Sequence, residues 1–496
     1  MDSATSLGSA FLRAPLVALQ TIAAPVRHVI AGSEESELRK SALRLPGFGG
    51  DEDETSADRS GDGSLTSDTS WEMLPGEDRS GDPRFDRHGF RRNAARIEHE
   101  EAFESAYAGR LLQQEQRWSR KADQQREGTE LSHGELKRLA RLGIPVARRK
   151  AVWPQLCRAA ELKAAAPDGY FLALLALPAA TAPTDAGFAA ERQIDLDLAR
   201  TFPGHRLLSS ADGAARLREV LVAYARRDPR VGYVQGMGFV AALLLVFVED
   251  TEEAFWCLAS VIEWLLPEDY YNATLLGLRT EQSIFGELVA LRLPRIAAHF
   301  ERHGCVVELF ATRWFVALYA NALPVETTLR VWDAFLLEGI KVIHRIGLAL
   351  LRISEDRLLA CNDQQELLMT LQEEHAHCLD CDRLLLVAFD RISFLRSFPQ
   401  SRIDALRRKH RARLTAAEVD SGWGDGPTTD SAAITSPLTD GVVVPPRPPL
   451  RDDPRGGDSS SEDDLEEESN GAPSGSGFDV VSAIDDTLRP VSSFWL

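Results

Sequence analysis

Between residues 84 and 415 apolar side chains recur at steps of three and four. In "SSADGAARLREVLVAYARRDP", Leu217, Val220, Leu221 and Tyr224 fall at i, i+3, i+4 and i+7, behind a Ser/Asp start and ahead of Arg226, Arg227 and an Asp-Pro turn. That spacing predicts an amphipathic helix with its termini marked. "TEEAFWCLASVIEWLLP" predicts another, opened by Thr251 and two glutamates and closed at Pro267. "TEQSIFGELVALRLP" repeats the scheme from Thr280 to Pro294, and "TTLRVWDAFLLEG" ends at Gly339, a C-cap residue. Runs of alternating Val, Ile and Thr between hairpin turns are not found, so no strands are predicted. The expected fold class is all-α.

The pattern stops at both flanks. Residues 34–83 and 418–496 hold too few apolar side chains to offset the entropy of ordering them, and both are expected to be disordered. Charge divides the chain at the same places. The net charge is −19; 17 acids face 4 bases after residue 417, 14 face 5 in residues 34–82, and the middle is near neutral. A pI near 5.1 without a basic face argues against nucleic-acid binding. The six cysteines (157, 257, 305, 361, 378, 381) are scattered through helical patterns and suit a reduced, intracellular compartment rather than a disulfide framework. No run of 18 uninterrupted apolar residues reads as a membrane span. Residues 1–33 are ambiguous: no acid occurs between Asp2 and Glu34, and Arg13 and Arg27 sit among small and apolar residues around 8–31. The composition suits an organelle transit peptide, an interfacial helix or a plain disordered tail, and Pro15 and Pro25 interrupt any long helix.

Three stretches carry residues that the helix pattern does not require. In "LGIPVARRKAVW" a Gly143-Ile144-Pro145 turn precedes Arg149 and Trp153, placed at i, i+4 as a cation–π or packing pair. In "IDLDLARTFP" Ile194, Asp197 and Arg200 follow at three-residue steps before a Phe202-Pro203 break. In "GYVQGMGFVAALLLVF" Gly232 and Gly236 bracket Tyr233 and Gln235 ahead of a strongly apolar helix. Taken singly, Arg200 is a surface partner of Asp197 and Gln235 a helix-start residue.

Taken together, the three stretches resemble the fingerprints R-x-x-x-W, I-x-x-D-x-x-R and Y-x-Q-G of the TBC domain of Rab GTPase-activating proteins, in that order. Similarity continues through "LPEDYYNATLLGLRTEQSIFGELV", "RWFVALYANALPVETTLRVWDAFLLEG" and, upstream, "RFDRHGFRR". It covers about 84–400 and looks most like the growth-hormone-regulated TBC proteins. The resemblance implies a disordered region 1–83, a TBC domain with an N-terminal extension over 84–415 (core about 137–360), and a disordered acidic, proline-rich tail 416–496. It implies a GTPase-activating protein for a Rab, acting in vesicle trafficking from the cytoplasm or the surface of endomembranes. Arg200 would be an arginine finger offered in trans and Gln235 a water-positioning group that replaces the GTPase's own glutamine. Asp197, Ile194, Tyr233, Gly236, Arg149 and Trp153 would support them, the flanking glycines letting the Gln235 backbone approach the partner. No metal or cofactor of its own is implied, since GTP and Mg²⁺ belong to the partner. The chain has no G-x-x-x-x-G-K-[ST] phosphate loop, so independent nucleotide hydrolysis is not expected. The alternative is a non-catalytic Rab-binding scaffold on the same fold. Gly238 departs from the family's usual polar residue and is expected to loosen the start of the apolar helix.

Weaker signals remain. "HAHCLDC" sets His375, His377, Cys378 and Cys381 in one segment with half of a zinc site's spacing, or forms a junction with buried thiols. Pro446–Arg451 is a polyproline stretch of the kind that docks on aromatic grooves. "DTSWEMLPG" resembles the short motifs that add a strand to ubiquitin-like autophagy adaptors, and "SSSEDDLEEES" an acidophilic phosphorylation site. "RIDALRRKHRARL" (402–414) is a basic helix end, expected as a solvated face or as a contact for an anionic membrane.

Overall fold

Helix follows helix in the computed structural model, which describes residues 82, 84–92, 97–126, 132–178, 186–389, 395 and 399–420. The segment 8–31, Trp71, the polyproline stretch Pro446–Arg451 and the acidic serine run lie outside the described residues. In chain order the helices are α1 (Ile97–Arg126), α2 (His133–Leu142), α3 (Val146–Leu156), α4 (Ala159–Ala164), α5 (Tyr170–Ala176) and α6 (Ala186–Leu198). They continue as α7 (Ala211–Arg227), α8 (Met237–Val248), α9 (Thr251–Ser260), α10 (Leu276–Arg292), α11 (Pro294–Arg302) and α12 (Glu308–Val316). The last are α13 (Val325–Glu338), α14 (Lys341–Ile353), α15 (Glu355–Ala360), α16 (Gln364–Ala376), α17 (Cys381–Phe389) and α18 (Gln400–Asp420). Among the described residues extended pairing is confined to two isolated bridges, Phe85 with Arg91 and Phe90 with His205. No described helix is long and apolar enough to cross a membrane.

Two helices form the centre. The apolar α8 is buried along almost its whole length, packed between α3, α7 and α9. Helix α13 is buried from Glu326 to Leu336 and packs on α2, α14 and α17. Their neighbours are amphipathic, as the sequence spacing requires. In α7 the Ser210 hydroxyl accepts from the Gly213 amide at 3.0 Å, and Leu217, Val220, Leu221 and Tyr224 are all buried. Helix α13 ends at Gly339, whose φ of 73° favours a residue without Cβ.

Local ends differ from expectation at three places. The helix expected to reach Pro267 leaves α geometry at Ser260 and continues as a π turn, Val261–Leu265. That turn brings buried Glu263 onto buried Arg227 of α7 (2.7 and 3.0 Å), a pair that periodicity does not reveal. Helix α10 starts at Leu276 rather than Thr280, because the Asn272 side-chain oxygen accepts from the Leu276 amide at 3.2 Å. The basic face of α18 is not simply solvated. Arg407 reaches Glu281 (2.5 Å), Lys409 and His410 reach Glu287 (2.7 and 2.8 Å), and Glu418 meets Arg279, so these charges fasten α18 along α10.

Candidate functional site

Helix α6 stops at Leu198, and the chain turns sharply through Arg200, Thr201 and Phe202. Ile194, on the inner face of α6, has no exposed surface. Asp197 is also buried, and three donors converge on its carboxylate: the Arg200 guanidinium, Gln193 Nε2 at 2.9 Å and the Tyr233 hydroxyl at 2.8 Å. The Thr201 hydroxyl donates to the Asp197 carbonyl at 2.8 Å, which closes the turn. Phe202 takes a left-handed φ of 45°, a conformation costing a non-glycine residue about 1–2 kcal/mol. Its ring is held edge-on between Phe90 and Phe239, with centroids 5.2 and 5.1 Å away. The upstream turn 84–92 braces the same segment: the Arg91 amide donates to the Gly204 carbonyl, and the Arg206 amide to the Gly89 carbonyl. The outcome is an arginine 45% exposed on a fixed turn, with a buried carboxylate beneath it.

Gln235 lies across from it on the loop into α8, half-buried. Burial, and then the neighbouring Asp197 charge, push the Tyr233 hydroxyl well above its ordinary pKa, so it stays a donor. Within the chain the flanking glycines meet backbone and packing requirements. Gly232 and Gly236 have φ of 56° and 113°, and a Cβ on Gly236 would lie 3.0 Å from the Val316 side chain. Gly238 lies buried in the first turn of α8. A Cβ there would come within 3.0 Å of the Thr201 hydroxyl and 3.1 Å of the Tyr233 hydroxyl, so its absence lets the Arg200–Phe202 turn and the Tyr233–Gln235 loop close on each other.

Arg200, Tyr233, Gln235 and Gly236 line one groove of about 1180 Å³, bounded elsewhere by the 84–92 turn, α12 and α16. Arg149 and Trp153 do not reach it. Both bind Asp333 of α13, Arg149 through two hydrogen bonds (3.0 and 2.9 Å) and Trp153 through Nε1 (2.9 Å), while the guanidinium stands 6.0 Å from the indole centroid. The Ile144 amide completes the set at 2.9 Å, so R-x-x-x-W is a buried clasp between α3 and α13. Two turns away on α13, Glu326 receives Arg87 at 2.6 Å and His88 Nε2 at 2.9 Å. Burial opposes its ionisation, but Arg87, His88 and Arg149 hold it well below the usual carboxylate range. This places "RFDRHGFRR" inside the scaffold.

The "HAHCLDC" residues are not brought together. His375 is buried edge-on against Trp314, His377 bonds its own helix at the Glu373 carbonyl, and Cys381 lies beside the Tyr107 hydroxyl. Among the described residues no group of three or more His, Cys, Asp or Glu could hold a metal ion. All six cysteines are free thiols.

The family model of the Rab-GTPase-TBC domain matches residues 147–359. Growth hormone-regulated TBC protein 1 of Xenopus tropicalis is 33% identical over 348 residues, covering 68% of this chain and 96% of that protein. The chain belongs to the TBC family. TBC1 domain family member 2A of mouse is 36% identical over 291 residues, 58% of this chain; the match spans 31% of the mouse protein's length. Among solved structures, the Chlamydomonas flagellar RabGAP TBC domain superposes with a TM-score of 0.53 at 30% identity, covering 62% of this chain and 99% of that one. The TBC match contains Arg149, Arg200 and Gln235 but leaves out the 84–92 turn and α16, which also frame the groove. Sequence reasoning missed Thr201, Asp333 and Glu326. A signal existed for Thr201, a hydroxyl four residues after Asp197; Asp333 and Glu326 sit in α13 and are joined to their partners only by tertiary packing.

Proposed function

We propose that this chain is a GTPase-activating protein for a Rab-type small GTPase, serving vesicle trafficking, and that it acts with two side chains given in trans. GTP hydrolysis builds charge on the oxygens between the β- and γ-phosphates and needs one water held in line. Arg200 has the planar donor fork that can meet two phosphate oxygens at once, and its turn holds it out from a rigid surface. Gln235 has an amide that can accept from the attacking water while donating to a neighbouring oxygen, as orienting a solvent molecule requires. The protein's part is electrostatic and geometric, and the nucleotide and its Mg²⁺ come with the GTPase.

One observation carries this reading: Arg200 and Gln235, 35 residues apart in sequence, face the same open groove. The test is single-turnover GTP hydrolysis by a panel of purified, GTP-loaded Rab GTPases with and without the chain. Acceleration of at least one member is expected, with Arg200→Ala losing roughly 10³–10⁵ of it. Gln235→Ala is expected to slow the same step. Tight binding without acceleration would replace this reading by the scaffold on the same fold.

A further inference from the structure

The groove does not end at the two fingers. It runs on between α12 and α16, where Leu309, Leu368 and Leu371 line it and Leu309 is 39% exposed. Arg313 projects from the same face of α12 and is exposed. Its Nη2 donates to the Asn321 carbonyl at 2.5 Å, and no carboxylate pairs with it among the described residues. Three other arginines of this groove are paired, Arg87 with Glu326, Arg92 with Glu104 and Arg200 with Asp197, while Arg91, at the opposite end on the 84–92 turn, is like Arg313 without a carboxylate among the described residues. Behind Arg313, His375 is buried, and its Nε2 has no hydrogen-bond partner among the described residues. An exposed cation without a counter-charge stands beside exposed Leu309 and half-buried Leu368, an apolar and basic face open to a partner.

Resting on the reading of the chain as a GTPase activator, we propose that this arm reads the identity of the GTPase. A surface segment of the GTPase lays an apolar side chain against Leu309 and Leu368 and presents an adjacent Asp or Glu carboxylate to Arg313. The occupant is the GTPase because the arm is continuous with the groove of Arg200 and Gln235 and is lined on its way by α12, whose Val316 packs against Gly236. A carboxylate is the matching charge for a guanidinium that has none. Arg313 is thus a positioning and selectivity residue, remote from the reacting phosphates.

The test uses full-length chain and the panel of Rab GTPases, loaded either with GTP for kinetics or with a non-hydrolysable GTP analogue for binding. Arg313→Glu is expected to raise KM and the dissociation constant about tenfold or more for the preferred GTPase, with kcat and the unfolding midpoint unchanged. Leu309→Asp, at another exposed position, is expected to do the same. A single Asp or Glu to Lys change on the GTPase surface should restore binding to Arg313→Glu and weaken binding to wild type. The inference is overturned if Arg313→Glu binds every GTPase as wild type does, or if kcat falls while KM stays fixed. Wild type that binds a GTPase without accelerating it overturns the activator reading alone, because the binding arm still reports on Arg313. Wild type that binds no GTPase overturns both.

Discussion

Asp197→Asn isolates the pre-alignment of the finger from its charge. In the native turn the carboxylate is 4% exposed and holds three donors, whereas Arg200, 45% exposed, has Asp197 as its partner. An asparagine keeps the shape and one acceptor. The Tyr233 hydroxyl can turn to accept from the new amide and Gln193 can flip, so the fold should lose only about 1–2 kcal/mol. Arg200 loses its ionic partner. A released arginine regains up to about 2 kcal/mol of rotamer entropy, which must be removed again when the finger engages phosphate. Since the side chain is already half exposed, a penalty of about 1–2 kcal/mol is expected, or roughly 5- to 30-fold in single-turnover rate. Arg200→Ala should cost far more, about 4–7 kcal/mol. The cycle is decisive: in the Arg200→Ala background, Asp197→Asn should change the rate no further. If Asp197→Asn acts within twofold of wild type, or slows the Arg200→Ala variant by the same factor as wild type, Asp197 does not aim the finger.

Other expectations follow from the scaffold. Asp333→Ala strands the buried Arg149 guanidinium and should lower urea-unfolding stability by about 3–5 kcal/mol, with the rate per folded molecule unchanged; an equal loss of rate in fully folded protein would place the clasp in the site. Gly238→Ala should press on the Thr201 and Tyr233 hydroxyls and cut activation several-fold with little change in the unfolding midpoint, and an unchanged rate would show that this approach is not needed. Burial lowers His88 to about 4, and burial together with Arg313 lowers His375 to about 3, both below the free imidazole value of about 6.5. The unfolded chain therefore binds protons that the native state refuses. Stability should be intact above about pH 6.5 and fall as the pH drops toward about 4, at up to about 1.4 kcal/mol per unit for each histidine. Equal urea midpoints at about pH 7 and about pH 5 would contradict it.

What the sequence reveals here is what is local. Helix termini were legible wherever one residue decides them, as with Ser210, Pro294 and Gly339, because capping and φ restriction act within a turn. The α10 start was missed because Asn272 caps from four residues upstream across a left-handed Leu275, and the π turn because Glu263 answers a charge on another helix. The site divides in the same way. Asp197 and Arg200 lie three residues apart and could be paired by inspection. By contrast Asp333 lies 184 residues from Arg149 and 180 from Trp153, so their motif looked like a neighbourly ring contact when its main bonds run to α13. The packing around Gly238 was not legible for the same reason: its neighbours Thr201 and Tyr233 come from two different segments.

The anchoring of Arg200 is arranged so that it can be given up. If Asp197 depended on Arg200, moving the guanidinium to a phosphate would orphan a buried carboxylate, and the cost would cancel much of the finger's benefit. Instead Gln193 and Tyr233 still satisfy the carboxylate after the arginine leaves. What is given up is one half-exposed ion pair, about 0.2–1 kcal/mol, against the 4–7 kcal/mol that such a cation supplies in the transition state. Tyr233 serves twice, because it belongs to the Gln235 loop while bonding the aspartate beneath Arg200. That hydrogen bond, with the close packing that Gly238 permits, ties the Gln235 loop to the Arg200 turn, and in the proposed mechanism it would set the separation of the two side chains. Tyr233→Phe should consequently slow activation while leaving both finger side chains chemically intact. Saturating the Tyr233→Phe variant with GTPase should not restore the rate, because the deficit lies in the alignment of the bound complex and not in its formation.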